Sequence, residues 1–267
     1  MEKLSYLFLI MLASWSCQNN TKSTKPNYKE DLSAQLEGAV LWYQNSAEMQ
    51  ASYLQAYAYG KMILDKHLEN YDNELPAAVL LDLDETVLDN SPYEGMLIKS
   101  KQTYSSATWN NWVEMADANA LPGAADFLNY AKSKGVEVIY ISNRLDKLLG
   151  PTLKNMQALN LPNADSAHVF LKKETSDKTA RRAIVSQSFN VLVYVGDNLT
   201  DFSELFANRG EGMGKDLVLQ NKEELLNHFV MLPNPMYGEW EKAIYGNDWS
   251  HSDSSKLAIR LNSVKAY

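Results

Sequence analysis

Cysteine is nearly absent. The 267 residues contain one, Cys17, so no intrachain disulfide can form. Basic side chains are in deficit, 25 against 33 acidic ones, for a net charge of -8. That balance excludes a general nucleic-acid binder, whose surface is normally basic. An anionic ligand would need local positive charge from a metal, a Lys or an Arg. The four histidines (His67, His168, His228 and His251) are scattered without zinc-ligand spacing and are expected as surface or core residues. The apolar run from Leu4 to Ala13 is too short to span a bilayer as a mature helix.

What is present is a substantial apolar content of 45%, enough for a buried core. The run from Leu4 to Ala13 follows Lys3 and fits a signal-peptide core. Cys17 follows it and a polar stretch follows Cys17, a pattern that resembles a bacterial lipoprotein signal with Cys17 as the lipidated residue. Residues 18–30 are expected as a flexible tether. The pattern from Leu32 to about Asn70 is helical, with no proline and recurrent Tyr and Trp, which helix packing explains. Pro76 ends it.

Apolar runs of strand length follow at 77–83, 136–142, 167–171 and 191–196, with helical patterns at 123–134, 147–159 and 177–188 between them. The stretch 227–232 is a further strand candidate. This alternation predicts a parallel sheet covered by helices on both faces. Residues 91–121 break it and read as an inserted helical segment. The expected organisation is a signal at 1–17, a tether at 18–30, helical cap elements at 31–75 and 91–121, and an α/β catalytic core at 76–90 and 122–267.

Ligands of open parallel sheets bind beyond the carboxyl ends of the strands. The first strand ends in Asp82-Leu83-Asp84-Glu85-Thr86, which on extended chain puts Asp82 and Asp84 on one face. The second ends at Ser142, before Asn143 and Arg144. The fourth ends in Gly196-Asp197-Asn198-Leu199-Thr200-Asp201-Phe202, and Lys178 opens the helical stretch before it. Four carboxylates at one sheet mouth repel one another unless a cation sits among them. The donors are oxygens, which suits magnesium better than zinc.

The DLDET segment, the strand-end Ser, the Lys and the GDNLTDF segment resemble the haloacid dehalogenase superfamily, a Rossmann-like fold with a smaller helical cap. More narrowly, residues 79–93, Trp109-Asn110-Asn111-Trp112-Val113, residues 194–202 and Leu232-Pro233-Asn234-Pro235-Met236-Tyr237-Gly238 resemble the class C acid phosphatases, bacterial outer-membrane lipoproteins. The resemblance covers roughly residues 35–245. It implies Asp82 as nucleophile, forming an aspartyl-phosphate, and Asp84 as general acid and then base. It implies magnesium held by Asp82, the backbone carbonyl of Asp84, and Asp197, with Asp201 as a further ligand or as an orienter of water. Ser142 and the backbone of Asn143 would hold phosphoryl oxygens, and Lys178 would neutralise charge.

Trp109 and Tyr237 are the candidates for stacking on a nucleobase, with core packing as their competitor. The expected partners are small phosphomonoesters, 5'-nucleotides among them, and a membrane reached through the lipid anchor; a homodimer is left open. Arg144 is expected as a salt-bridging surface residue outside the catalytic set. The competing reading is a non-catalytic surface lipoprotein on the same fold that binds a ligand such as haem, for which no ligand spacing is visible. Related plant storage proteins lack the nucleophile, whereas Asp82 is present here.

Overall fold

The computed structural model describes residues 28–267; Cys17, the signal reading and most of the tether lie outside the described residues. The chain opens with three helices, α1 (Tyr28–Gln35), α2 (Glu37–Asn45) and α3 (Ala47–Leu68). Residues 28–30, expected as the end of the tether, are already helical, and α1 packs on the last helix of the chain. Strand β1 (Ala77–Leu81) leads into the short β2 (Leu88–Asp89), helices α4 (Ser91–Ser100) and α5 (Ser106–Met115), and β3 (Asn119–Ala120), which pairs with β2. Then come α6 (Ala124–Ser133), β4 (Glu137–Leu145), α7 (Leu149–Ala158), β5 (Val169–Lys172), α8 (Thr179–Ser186) and β6 (Asn190–Gly196). The chain closes with α9 (Leu199–Phe202), α10 (Lys215–Gln220), α11 (Lys222–His228), β7 (Phe229–Met231), α12 (Glu239–Ile244) and α13 (Asp253–Ser263).

Five strands form one parallel sheet in the order β5-β4-β1-β6-β7. The nucleophile candidate therefore ends the central strand. All five residues of β1 are buried, because both faces are covered. Val79 and Leu81 point into the larger core under α3, α6 and α7, and Ala78 and Leu80 into the smaller one under α8. Helix α3 packs on β6, β7 and α6. It thus lies on the sheet, although residues 31–75 were expected among the cap elements. Gly60 permits that approach: a Cβ there would stand 3.0 Å from the Phe127 ring and 3.3 Å from Val230.

The aromatic stripe of α2 and α3 does more than pack. The Tyr53 hydroxyl donates to the Glu85 carbonyl at 2.6 Å, and the Tyr57 hydroxyl to the Thr86 carbonyl at 2.6 Å. Glu85 needs such support, because its φ of 56° is left-handed, a region L-residues seldom occupy. The loop after β1 is thereby fixed from the helical layer above it.

Candidate active site

The carboxyl ends of β1, β4 and β6 open into a cleft of about 660 Å³. Asp82 follows β1 directly, and its backbone N–H donates to the Val195 carbonyl at 3.0 Å, which extends the sheet into the site. Lys178, buried just before α8, donates from Nζ to Asp82 Oδ1 at 2.5 Å and to Asp201 Oδ1 at 2.7 Å. One carboxylate oxygen from each of Asp82, Asp197 and Asp201 lies within 4.8 Å of the others. Asn198 and Asn234 donate to Asp197 Oδ2 at 2.9 and 2.8 Å.

The electrostatics of this group call for a cation. Burial pushes the Asp82 carboxyl up to about 7, and the charges of Asp201 and Asp84 add to that, against the opposing pull of Lys178. Burial, then Asp201 and Asp82, pushes Asp197 well above the ordinary carboxylate range. One lysine does not offset three clustered acids. The all-oxygen donor set and spacing fit a hard divalent cation of ordinary coordination radius.

Gly196 explains why GDNLTDF begins as it does. Asp201 folds back so that its Oδ2 accepts the Asn198 N–H at 3.0 Å. A Cβ on residue 196 would fall 2.3 Å from that same Oδ2. Gly196→Ala is therefore expected to displace Asp201 by roughly 1 Å and to lower kcat/KM by about 100-fold. Steady-state kinetics alongside a metal titration checks this, since the affinity for the cation should fall as well.

Asp84 stands apart from the three-acid group. Its Oδ1 accepts from Arg144 Nε at 2.9 Å, from an Arg144 terminal nitrogen at 2.8 Å and from Asn90 Nδ2 at 2.9 Å, and its Oδ2 accepts from Ser142 Oγ at 3.1 Å. Here the expectation for Arg144 is corrected. It is only 2% exposed, and it is the partner that orients Asp84. It is buried because Asp84, Thr152 and Asn90 satisfy its guanidinium, and its charge lies 5.9 Å from the Trp109 ring. The sequence shows Arg144 two residues past Ser142, on the same side of extended chain, but that signal does not distinguish a solvent-facing arginine from this one.

The structure brings Asp82, Asp84, Asn143, Lys178, Asp197, Asp201, Trp109 and Tyr237 to one cleft. Ser142 is fully buried behind it, with its hydroxyl on Asp84. Arg181 braces this strand end through the Ser142 carbonyl at 2.6 Å and Asn143 Oδ1 at 2.7 Å. Trp109 packs edge-on against Tyr93, and the Tyr237 hydroxyl bonds the Glu85 carboxylate. Asn90, unmarked in the sequence reading, links Asp84, Glu85, Arg144 and the Trp112 indole.

A parallel α/β sheet with an acid after its central strand, a buried lysine and a second acid pair after a neighbouring strand defines the haloacid dehalogenase type of site. The family described as the HAD superfamily, subfamily IIIB (acid phosphatase), matches residues 2–240, and the chain belongs to it. The class C acid phosphatase of Bacillus anthracis is similar at 39% identity with a TM-score of 0.84; that similarity covers 88% of this chain and 99% of the structure with tungstate bound. A 31 kDa stem glycoprotein of Glycine max is 29% identical over 70% of this chain, and acid phosphatase 1 of Solanum lycopersicum is 24% identical over 59%. The matches span 58% and 57% of those two proteins, so the chain covers less than two thirds of the curated relatives' length.

Proposed function

We propose that the chain hydrolyses small phosphate monoesters by transfer to Asp82, with one divalent cation, magnesium, held by Asp82, Asp197 and Asp201 and the Asp84 carbonyl. The observation that carries this reading is the bond from buried Lys178 to Asp82 at 2.5 Å beside the acid group, with Asp84 held separately by Arg144. Phosphoryl transfer depends on such placement of charge. The likeness to a class C acid phosphatase whose structure holds tungstate, a tetrahedral oxyanion, supports it.

An Asp82 carboxylate oxygen attacks phosphorus, and the bond from phosphorus to the ester oxygen breaks. The departing oxygen takes its electron pair and a proton from Asp84. Water then attacks the aspartyl-phosphate and gives its proton to Asp84. The bond from phosphorus to Asp82 breaks, which releases inorganic phosphate and restores both carboxyl groups. Lys178 offsets charge on Asp82 and the phosphoryl group, and Ser142 and the backbone of Asn143 would hold the phosphoryl oxygens. The cation, when bound, supplies further charge neutralisation of the phosphoryl oxygens.

The proposal extends to 5'-nucleotides as substrates and, through Cys17, to lipid anchoring in a bacterial outer membrane. Trp109 and Tyr237 line the cleft beside the acids and offer ring surface for a base. Protein lacking residues 1–17 should hydrolyse both a nucleoside 5'-monophosphate and an aryl phosphate. Trp109→Ala should raise KM for the nucleotide by about tenfold, the worth of one stacked base. Metal-replete protein inert toward both esters would sink the phosphatase reading and leave a binding or storage role.

A further inference from the structure

One wall of the cleft is built from segments that the acid chemistry does not use: α1, α4, α12 and α13. Glu94 lies on that wall. It is 6% exposed, it lines the cleft, and among the described residues no hydrogen-bond donor or cation reaches its carboxyl group. Its neighbour Glu241 is different: Tyr245 donates to Glu241 at 2.7 Å, and Arg260 pairs with the same oxygen. Lys256 and Arg260 also line this wall, each with its charge near the Tyr245 ring.

A largely buried carboxyl group without a protein donor is completed only by what enters the cleft, water or a ligand. Helix geometry relates its position to that of Asp84. The Glu94 N–H bonds the Asn90 carbonyl at 3.4 Å, so the two residues are one turn apart, about 6 Å along the axis. Asn90 itself donates to Asp84. Glu94 therefore stands one helical turn from the residue that holds Asp84, and Glu94 and Asp84 line the same cleft.

We propose that Glu94 is a specificity-determining residue that accepts hydrogen bonds from hydroxyl groups of the leaving alcohol, which makes polyhydroxylated esters, such as those of a pentose, the preferred substrates. This rests on the phosphatase reading and adds a contact to it. Burial, with the Glu241 charge adding to it, also pushes the Glu94 carboxyl up to about 7, so below neutral pH it is uncharged and suited to hydroxyl groups.

The test compares a ribonucleoside 5'-monophosphate, its 2',3'-dideoxy form, ribose 5-phosphate and an aminoalkyl phosphate. Wild type should favour both hydroxylated esters. Glu94→Ala should cut the kcat/KM ratio of the ribonucleotide to its dideoxy form about tenfold, mostly through KM, and Glu94→Gln should restore part of it. Ribose 5-phosphate separates the sugar from the base. Glu94→Ala should also raise Tm, which shows that the variant folds.

An unchanged ratio in a folded Glu94→Ala protein would overturn the proposal. So would a loss confined to the aminoalkyl ester, which would assign Glu94 to a cation. Equilibrium binding of the two nucleotides to Asp82→Asn protein, with and without Glu94→Ala, reads the same contact without turnover. Failure of the phosphatase reading is thus distinguishable from failure of this one.

Discussion

Asp82→Asn is expected to abolish phosphoester hydrolysis, with kcat falling by at least about 10⁴-fold, as when a covalent nucleophile is removed elsewhere. The amide keeps the size and most of the shape of the carboxylate but has no anionic oxygen to attack phosphorus. Asp82 is 7% exposed, at the end of an all-buried strand, and its backbone stays paired with Val195, so the fold has no reason to change. The substitution also takes one negative charge out of a group whose members raise one another's proton affinity. Lys178 keeps Asp201 as its partner at 2.7 Å. A cooperative unfolding transition within a few degrees of wild type is therefore expected beside the lost activity. Steady-state release of phosphate from an aryl ester measures the first and a thermal melt the second. Residual turnover within tenfold of wild type would mean that water attacks phosphorus directly and that Asp82 only binds the cation.

Chelation of divalent ions is expected to lower turnover by at least about 10³-fold and to destabilise the fold in a pH-dependent way. In the ion-free protein, Asp82 binds its proton up to about 7, against an ordinary value of 3.8. The native state then holds more protons than the unfolded chain between those two values, so ion-free stability falls as pH rises through that window and levels off above it. A bound cation reverses the penalty and competes with those protons. Magnesium at about 100 times its Kd adds roughly 2.7 kcal/mol, or a Tm gain of roughly 5–10 °C for a chain of this size. That gain should be greater near pH 7 than near pH 4. Calorimetry across that range, with and without magnesium, checks the sign. A Tm and a turnover rate indifferent to magnesium would remove the cation from the site.

The parallel sheet was legible because apolar runs of strand length alternate with helical patterns, and burial on both faces leaves no other use for a run such as Ala77–Leu81. Four of the acids were legible for a related reason. An ionisable group at the end of a buried strand has no packing role, so Asp82 and Asp197 stood out by position, and Asp84 and Asp201 by their spacing from them and by the family resemblance. Arg144, Asn90 and Glu94 did not, because each is an ordinary polar residue until its partners are known. Arg144 reads as a surface cation until Asp84, Asn90 and Thr152 are seen around it. Glu94 reads as a solvated helix residue until α1, α12 and α13 are placed over it.

By itself, then, the sequence determined the sheet, the strand ends and the carboxylates that gather there, since all of these follow from local periodicity and the rule that ligands meet parallel sheets at their carboxyl ends. Tertiary structure alone decided that Lys178 reaches both Asp82 and Asp201, that Asp84 is held by a buried arginine, and that the last helix walls the cleft. The physical reason is sequence distance. Burial and pairing set the charge and orientation of these groups, and their partners lie tens of residues away, where no periodicity in the chain can register them.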